Sequence, residues 1–371
     1  MRAALAALWP EERLAAVYFA GVLLAFLAAG YPFNVLGMGY EYLRFFGTIL
    51  AVTLPFWVLA QLARAARHRF DARRAGEDLL LFARALLPLL LVLVAYTNLK
   101  ARLFVFRPEL ADPWLARLDA LVHFGGGDFI GWLLGFTGNR ALDQFLAIAY
   151  VLAWAVFALP LGVAFARHGG RAARRALTAL AIAYVVGGFL YYTAPSVGPA
   201  FFVRERFDHL AGNLAHALQS DMLRAMLYLV AHPHEKAIPF FGIAAFPSLH
   251  MATTFLGALV CWAHARWLLL LIVPANLLVA WSALHFGWHY AIDFYPGIAL
   301  ALVAWWGAGR WVGGRGWSEP RNGRTGTPGV MVGVVDSEVP MGTTRVGRPL
   351  EFVVPGDPFG ESGDTGPSWR A

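Results

Sequence analysis

The sequence contains little charge and almost no cysteine. Only 14% of its 371 residues are charged, whereas 59% are hydrophobic. The single cysteine, Cys261, excludes a disulfide within the chain, so cysteine content says nothing about the redox state of the compartment. A soluble globular domain needs more charge than this on its surface. The composition is instead dominated by apolar runs, which are long and numerous.

Apolar runs of about 20 residues recur along the chain, and each is long enough to cross the hydrocarbon core of a bilayer. A soluble all-helical enzyme buries one or two such runs, but not eight. We therefore predict an all-α, polytopic helical membrane protein with about eight transmembrane helices. Their predicted bounds are 13–30, 43–62, 79–98, 143–166, 174–194, 248–265, 267–285 and 289–312.

Arginines between the spans indicate the orientation. The loops RAARHRFDARR (64–74) and RHGGRAARR (167–175), the residues after the last span and the N-terminus all fall on one side if the spans number eight. The positive-inside rule makes that side the cytoplasm. The net charge of +7 mostly reflects this asymmetry, which predicts contact with anionic lipids and no nucleic-acid partner. High alanine and arginine usage without an organelle signal favours a bacterial inner membrane.

The chain divides into three predicted parts. Residues 1–78 form an N-terminal two-span extension, and residues 79–313 form a six-span catalytic membrane domain. Residues 314–371 are rich in Gly, Pro, Ser and Thr and are predicted to be a disordered cytoplasmic tail. The first apolar run is predicted to be a signal anchor and not a cleaved peptide.

Two long extracytoplasmic segments contain apolar residues at helical spacing. DPWLARLDALVHF lies within about 100–142, and AHALQSDMLRAMLYLVAH lies within about 195–247. Each is predicted to be either an amphipathic helix that lies along the membrane interface and covers a site, or a structured loop.

The stretch HFGWHYAID (285–293) places two histidines and an aspartate at the predicted start of the last span. A carboxylate at that depth is costly unless it is paired, so Asp293 is a functional candidate. Its predicted partner, His289, lies one helical turn away. If Asp293 accepts the proton of one ring nitrogen, the other nitrogen is left basic and oriented, as in a nucleophile or general base. A helix-terminal hydrogen bond without chemistry is the alternative. His285 continues the spacing, although Gly287 interrupts it.

The stretch AAFPSLHMATTF (244–255) opens another span. Pro247 and Ser248 are typical of a helix start, where exposed backbone N–H groups favour an anion. His250 follows in the first turn. One apolar hairpin separates His250 from His289, so both return to the same membrane face. We therefore predict that the helix start and the two histidines converge on a phosphate, where one histidine attacks phosphorus and the other protonates the leaving oxygen.

PSLH followed by HYAID, each opening a span, resembles the type 2 phosphatidic acid phosphatase superfamily over roughly residues 79–312. It is more similar to the inositolphosphotransferase-like branch, which includes inositol phosphorylceramide and sphingomyelin synthases. The resemblance implies a six-helix phosphatase-type core and a reaction without metal or cofactor. It also implies that His289 forms a phosphohistidine, Asp293 orients His289, and His250 is the acid/base.

Other motifs depart from the phosphatase branch. Ser282-Ala283 stands where that branch has serine-arginine, and KARLFVFRP (100–108) matches its Lys/Arg-Pro motif but lies two spans too early. The segment in the expected place, YYTAPSVGPAFFVRER (191–206), resembles the transferases instead. A phosphoryl group still requires cations. The candidate substrate-binding residues are Ser248, Lys100, Arg107, Arg204, Arg206, Lys236 and His285.

These observations predict a membrane-embedded enzyme that moves a phospholipid headgroup phosphate to an alcohol, with a lipid substrate and membrane lipids as its partners. A lipid phosphate phosphatase, which hydrolyses phosphatidate-like or polyprenyl phosphates, is the alternative.

Two other classes of function remain as alternatives. The first is a zinc or iron site at His250, His285, His289 and Asp293, but few carboxylates lie near these residues. A non-catalytic transporter or lipid-binding protein is another, although the spans lack charges at mid-depth and symmetric broken helices.

Overall fold

The computed structural model describes residues 8–125, 127–135, 139–210 and 212–313. Within these ranges the secondary structure is helical and contains no strand, which confirms the predicted all-α class. The longer helices are α1 (Pro10–Ala28), α2 (Leu36–Ala66), α3 (Ala72–Ala101), α4 (Asp112–Phe124), α5 (Arg140–Val151), α6 (Ala153–His168), α7 (Gly170–Leu190), α8 (Leu214–Ala231), α9 (Leu249–His264), α10 (Leu269–His285) and α11 (Phe294–Val312). Short helical turns lie at Leu103–Phe106, Phe129–Leu134, Pro199–Phe202, Arg204–Leu210, Arg266–Leu268 and Ala291–Asp293.

All eight predicted spans are helical, but they differ in length and polarity. In the described part of the chain, five segments have the length and apolarity needed to cross a membrane: Leu36–Ala66, Ala72–Ala101, Gly170–Leu190, Arg266–His285 and Ala291–Val312. Helices α5 and α6 meet the same measure only as a pair, which is bent by 47° at the break between them, as in a broken span or a re-entrant loop. Helix α1 and the 16-residue α9 do not meet the same measure. Several apolar helices of this kind indicate a membrane protein.

Helix α7 lies at the centre of the bundle. It packs against α3, α6, α9 and α11, and most of the apolar part of α7 is buried. Its alanines and glycines allow neighbouring helices to approach closely, as small residues do in membrane bundles. Helices α1 and α2 pack on α3 and α6, so the predicted N-terminal extension lies directly against the predicted catalytic domain. The boundary at residue 78 remains a prediction.

One end of the bundle is fixed by stacked cations. The indole of Trp9 lies between two guanidinium groups, with the Arg84 carbon 3.5 Å and the Arg174 carbon 3.7 Å from its ring centre. Glu12 pairs with Arg84 at 2.6 Å, and Glu11 pairs with Arg174 at 2.5 Å. The candidate catalytic residues lie at the opposite end, here called the site end.

The two segments with helical spacing outside the predicted spans form helices α4 and α8, both near the site end. Helix α4 packs against the short turn Ala291–Asp293. The predicted disordered tail, 314–371, lies outside the described residues.

Candidate active site

Helix α9 begins at the predicted position. Ser248 is its N-cap, and its hydroxyl accepts a hydrogen bond from the backbone N–H of Met251 at 3.2 Å. The N–H of Ser248 in turn donates to the carbonyl oxygen of Asp293 at 3.1 Å. This bond joins the start of α9 to the start of α11, so His250, in the first turn of α9, lies beside the second motif.

The second motif is a turn and not a continuous helical stripe. Helix α10 ends at His285, Gly287 has a φ of +64°, and a short 3₁₀ turn spans Ala291–Asp293 before α11 starts. A Cβ atom at Gly287 would lie 2.8 Å from the backbone nitrogen of Ala200, so this sharp bend requires glycine. The predicted one-turn helical spacing of His289 and Asp293 is therefore wrong, although the turn still brings the two side chains together.

The His289 imidazole is oriented by two oxygen atoms. Its Nδ1 donates to the carbonyl oxygen of Ala245 at 2.9 Å, and Oδ2 of Asp293 lies 3.4 Å from the same nitrogen. The carboxylate of Asp293 is fully buried and accepts the N–H of Tyr290 at 2.9 Å. With its proton on Nδ1, His289 keeps an unprotonated Nε2. The turn lies between two spans, and burial lowers the pKa of His289 to about 3, so the imidazole is neutral near pH 7.

His250 faces His289, with ring centres 5.9 Å apart. Its Nδ1 lies 3.2 Å from the hydroxyl of Tyr150 on α5, and Tyr150 stacks on Trp288 at 5.2 Å. The two histidines are thus held by different elements, with their rings edge to face in one wall of the site.

A cavity of about 250 Å³ includes both histidines in its wall. Lys100, near the end of α3, lines the same cavity and is the only Lys or Arg among its described lining residues. Its ammonium nitrogen lies 5.5 Å from the Tyr191 ring centre and 5.9 Å from that of Tyr96. The cavity therefore combines two histidines and one cation with walls of aromatic and aliphatic side chains.

A group of aromatic side chains that pack on one another, here called the aromatic end, forms part of the cavity wall. Phe45 packs edge-to-face on Trp154 with ring centres 4.6 Å apart, and Tyr42 lies 4.9 Å from Phe240. The aromatic end consists of Tyr42, Phe45, Trp154, Tyr184, Phe240 and Phe241.

The other predicted cations lie outside the described lining of the cavity. Arg107 donates to the carbonyl of Tyr192 at 2.8 Å, and Arg206 pairs with Asp128 at 2.6 Å. The remaining two are Arg204, which donates to the Ser220 hydroxyl at 3.3 Å, and Lys236, whose carbonyl accepts the Asn34 amide at 3.3 Å.

His285 also lies apart from the cavity. It is fully buried, and its Nε2 donates to Oδ1 of Asp143 at 2.7 Å, which joins α10 to α5. Among the described residues, no group of three or more His, Cys, Asp or Glu side chains is arranged to hold a metal ion.

Two buried carboxylates of α4 were missed at the sequence level. Asp112 accepts hydrogen bonds from the N–H groups of Val197 and Gly198, and Asp119 accepts one from the N–H of Ile292. Both stand outside the predicted spans, and burial raises the pKa of each, that of Asp112 to about 6. The available signal was their spacing: acids seven residues apart in DPWLARLD share one face of a helix.

A family model described as the PAP2 superfamily matches residues 113–307. No curated protein gives a match, and no solved structure gives one. The matched segment is more than half of the chain and contains α9, the turn after α10 and both cavity histidines, so the chain belongs to the PAP2 superfamily.

Proposed function

We propose that the chain is a membrane-embedded lipid phosphotransferase that acts through a phosphohistidine on His289. Membership of the PAP2 superfamily supports phosphatase or phosphotransferase chemistry on lipid phosphates. The observation that carries the assignment is the pair of histidines in one cavity, His289 with its Nδ1 bound to a carbonyl and His250 facing it. An imidazole fixed in this way presents Nε2 as the nucleophile.

The reaction has two displacement steps. In the first, the lone pair of His289 Nε2 forms a bond to phosphorus, the bond from phosphorus to the lipid oxygen breaks, and His250 donates a proton to that oxygen. In the second, His250 removes a proton from the acceptor hydroxyl. The acceptor oxygen then bonds to phosphorus and the N–P bond breaks, which restores both histidines. With an alcohol the reaction is a transfer, and with water it is a hydrolysis.

Lys100 is the proposed cation for the phosphoryl oxygens, because it shares the cavity with both histidines. The N-terminal backbone N–H groups of α9 add a partial positive charge at the same place. Negative charge that spreads over the phosphoryl oxygens in the transition state is stabilised by such preorganised groups. Ser248, in contrast, uses its hydroxyl as the cap of α9, and its role is to hold the helix start.

The charge of the cavity favours a phosphodiester donor over a phosphomonoester. A phosphomonoester carries a charge of about −1.5 to −2 at pH 7, whereas a phosphodiester carries one negative charge. One lysine balances the single charge of a phosphodiester. It leaves the charge of a phosphomonoester partly uncompensated, which is costly in a buried cavity. Transfer of a phospholipid headgroup phosphate, the activity of the inositolphosphotransferase-like branch, fits this balance. Hydrolysis of phosphatidate-like or polyprenyl monophosphates is the second candidate.

The proposal also places the cavity on the extracytoplasmic face of a bacterial inner membrane, with both termini in the cytoplasm. The lipid tails then remain in the bilayer while the headgroup reaches His289. The partners are a lipid-phosphate substrate and membrane lipids.

The test uses purified protein in detergent with EDTA and lipids that carry phosphorus-32 in the headgroup phosphate. After a base quench, acid-labile and base-stable label is expected on the wild type and on His232→Ala, which changes an exposed histidine outside the cavity lining. No label is expected on His289→Ala. Equal lipid turnover by His289→Ala and wild type contradicts the proposal, and lipid binding without turnover by either indicates a transporter or lipid-binding protein.

A further inference from the structure

Helix α4 presents two buried carboxylates to the site end from outside the cavity. Asp112 has none of its surface exposed and Asp119 has 2% exposed. Neither lines the cavity that contains His250 and His289. Burial of two carboxylates is costly unless hydrogen-bond donors satisfy them. The donors that Asp112 and Asp119 bind therefore show which segments these carboxylates hold in place.

Asp112 joins two separate segments of the site. Its Oδ2 accepts the N–H of Val197 at 2.9 Å, and its Oδ1 accepts the N–H of Gly198 at 2.8 Å. The same Oδ1 accepts the hydroxyl of Tyr290 at 3.1 Å. Burial raises the pKa of Tyr290, which keeps that hydroxyl protonated as a donor. Tyr290 directly follows His289, so this bond fixes the backbone on one side of the nucleophile.

The other segment held by Asp112 leads to the acceptor of the His289 proton. Next to Val197, the carbonyl of Ser196 accepts the N–H of Ala245 at 2.9 Å, and its hydroxyl accepts the N–H of Phe246 at 2.9 Å. The Ala245 carbonyl is the oxygen that accepts Nδ1–H of His289. Asp112 is therefore connected to the imidazole by two routes, one through Tyr290 and one through Ser196 and Ala245.

Asp119 supports the same turn from a position about two helical turns further along the same face of α4. Its Oδ1 accepts the N–H of Ile292 at 2.8 Å, next to Asp293. This bond holds the 3₁₀ turn but has no route to Ala245, which makes Asp119 a suitable comparison for Asp112.

We propose that Asp112 is a positioning residue for His289: it fixes the turn through the Tyr290 hydroxyl and the Ala245 carbonyl through the amides of residues 197 and 198. The expected effect on kcat rests on the proposed function, whereas the expected effect on the orientation of the His289 ring does not. Loss of this anchor leaves the imidazole free to rotate or to change tautomer, and misplacement of a reacting group by about 1 Å costs about 100-fold in rate.

The first arm of the test does not depend on activity. Full-length protein labelled with ¹⁵N in its histidine rings is compared by NMR with His289→Ala, which identifies the His289 signals. The wild type is expected to show a protonated Nδ1 and an unprotonated Nε2. In Asp112→Asn and in Tyr290→Phe these signals are expected to shift or broaden, whereas in Asp208→Asn, which changes an exposed acid, they are not. Unchanged His289 signals in both site variants overturn the inference, whether or not the protein is a phosphotransferase.

The second arm measures kcat and KM with a phosphodiester lipid. Asp112→Asn is expected to lower kcat about 100-fold with KM within about twofold of wild type. Tyr290→Phe, which keeps the ring and loses one hydrogen bond, is expected to lower kcat about tenfold. The double variant is expected to match Asp112→Asn alone, because the Tyr290 hydroxyl acts through Asp112. A raised KM with unchanged kcat overturns the inference in favour of substrate contact. If Asp112→Asn does not fold, Tyr290→Phe decides the result by itself.

Discussion

The Nδ1 atom of His289 lies 2.9 Å from the carbonyl oxygen of Ala245, and this hydrogen bond assigns the ring proton to Nδ1. Asp293 is the second oxygen near that nitrogen, at 3.4 Å. A carbonyl that can only accept is a more permanent constraint than a carboxylate, because a carboxylate can be protonated. The tautomer of the proposed nucleophile is thus set mainly by the backbone of the segment before α9.

Because the Ala245 carbonyl is the main partner of Nδ1, substitutions of His289 and Asp293 are predicted to lower activity by different amounts. His289→Ala removes the nucleophile and is expected to lower kcat by about 10⁴-fold or more. Asp293→Asn leaves the Ala245 bond in place, so we expect a loss of only about 10- to 100-fold and retention of the phosphorus-32 label on His289. Single-turnover labelling and steady-state kinetics measure both. Equal losses in the two variants would show that Asp293 is essential for the tautomer and that the Ala245 carbonyl is not sufficient.

Lys100 provides the second prediction. Lys100→Met keeps the length of the side chain and removes the positive charge, so kcat/KM for a phosphodiester lipid is expected to fall about 10²- to 10³-fold. Lys100→Arg is expected to recover part of this loss. Lys236→Met is the matched control, since Lys236 lies outside the cavity lining, and its kinetics should remain within about twofold of wild type. Similar losses at positions 100 and 236 would indicate a general surface-charge effect.

The main features of the site could be predicted from local sequence. PSLH and HYAID contain a helix cap and a pair of ionisable residues, and one apolar hairpin between them places both at the same end of the bundle. The sequence also identified Lys100 among five cations, but it gave no reason to rank it above Arg107 or Arg206. That ranking depends on which of these side chains lines the cavity in the folded protein. Residue type and spacing do not contain this information.

Long-range packing explains the remaining differences. Tyr42 and Phe45 belong to the predicted two-span extension, yet they line the cavity because α2 packs on α6. The backbone carbonyl of Ala245 cannot be recognised from a residue type, since every residue has one. His285 followed the four-residue spacing of the motif, but Gly287 turns the chain and leaves His285 paired with Asp143.

The aromatic end of the cavity predicts a dependence on the size of the lipid. Phe45→Ala enlarges this uncharged end, so the ratio of kcat/KM for a longer-chain lipid to that for a shorter one is expected to rise about tenfold. Leu43→Ala is the control, because Leu43 is 60% exposed and does not line the cavity. The measurement is competition between two phosphodiester lipids that differ only in acyl length. An unchanged ratio would mean that the lipid chain does not reach this end.

The predicted orientation can be tested by thiol labelling, because Cys261 is the only cysteine and is fully buried. Thr193→Cys adds an exposed thiol after α7 at the site end, and Ala72→Cys adds one at the start of α3 at the opposite end. In intact cells a membrane-impermeant maleimide is expected to label Thr193→Cys. It should label Ala72→Cys only after permeabilisation, and unsubstituted protein should give the background. The reverse pattern would place the site on the cytoplasmic face.

The last prediction concerns pH, where His289 and Asp112 behave oppositely. Burial lowers the pKa of His289 to about 3, so its imidazole stays neutral as the pH falls from 8 to 5. Burial, with a contribution from the nearby Asp293 charge, raises the pKa of Asp112 to about 6. Over the same range Asp112 therefore gains a proton and becomes a weaker acceptor for the Val197 and Gly198 amides and the Tyr290 hydroxyl.

Activity on a phosphodiester lipid, whose own charge does not change in this range, is therefore expected to fall on the acid side with a midpoint near pH 6. Asp112→Asn has no carboxyl group to titrate, so its low activity should lack this acid limb. Asp119→Asn should retain the limb because Asp112 is intact. Profiles of kcat/KM from pH 5 to 8 for the three proteins provide the comparison. If Asp112→Asn keeps the wild-type midpoint, the limb belongs to another group, and its loss in Asp119→Asn would assign it to Asp119, whose pKa burial also raises.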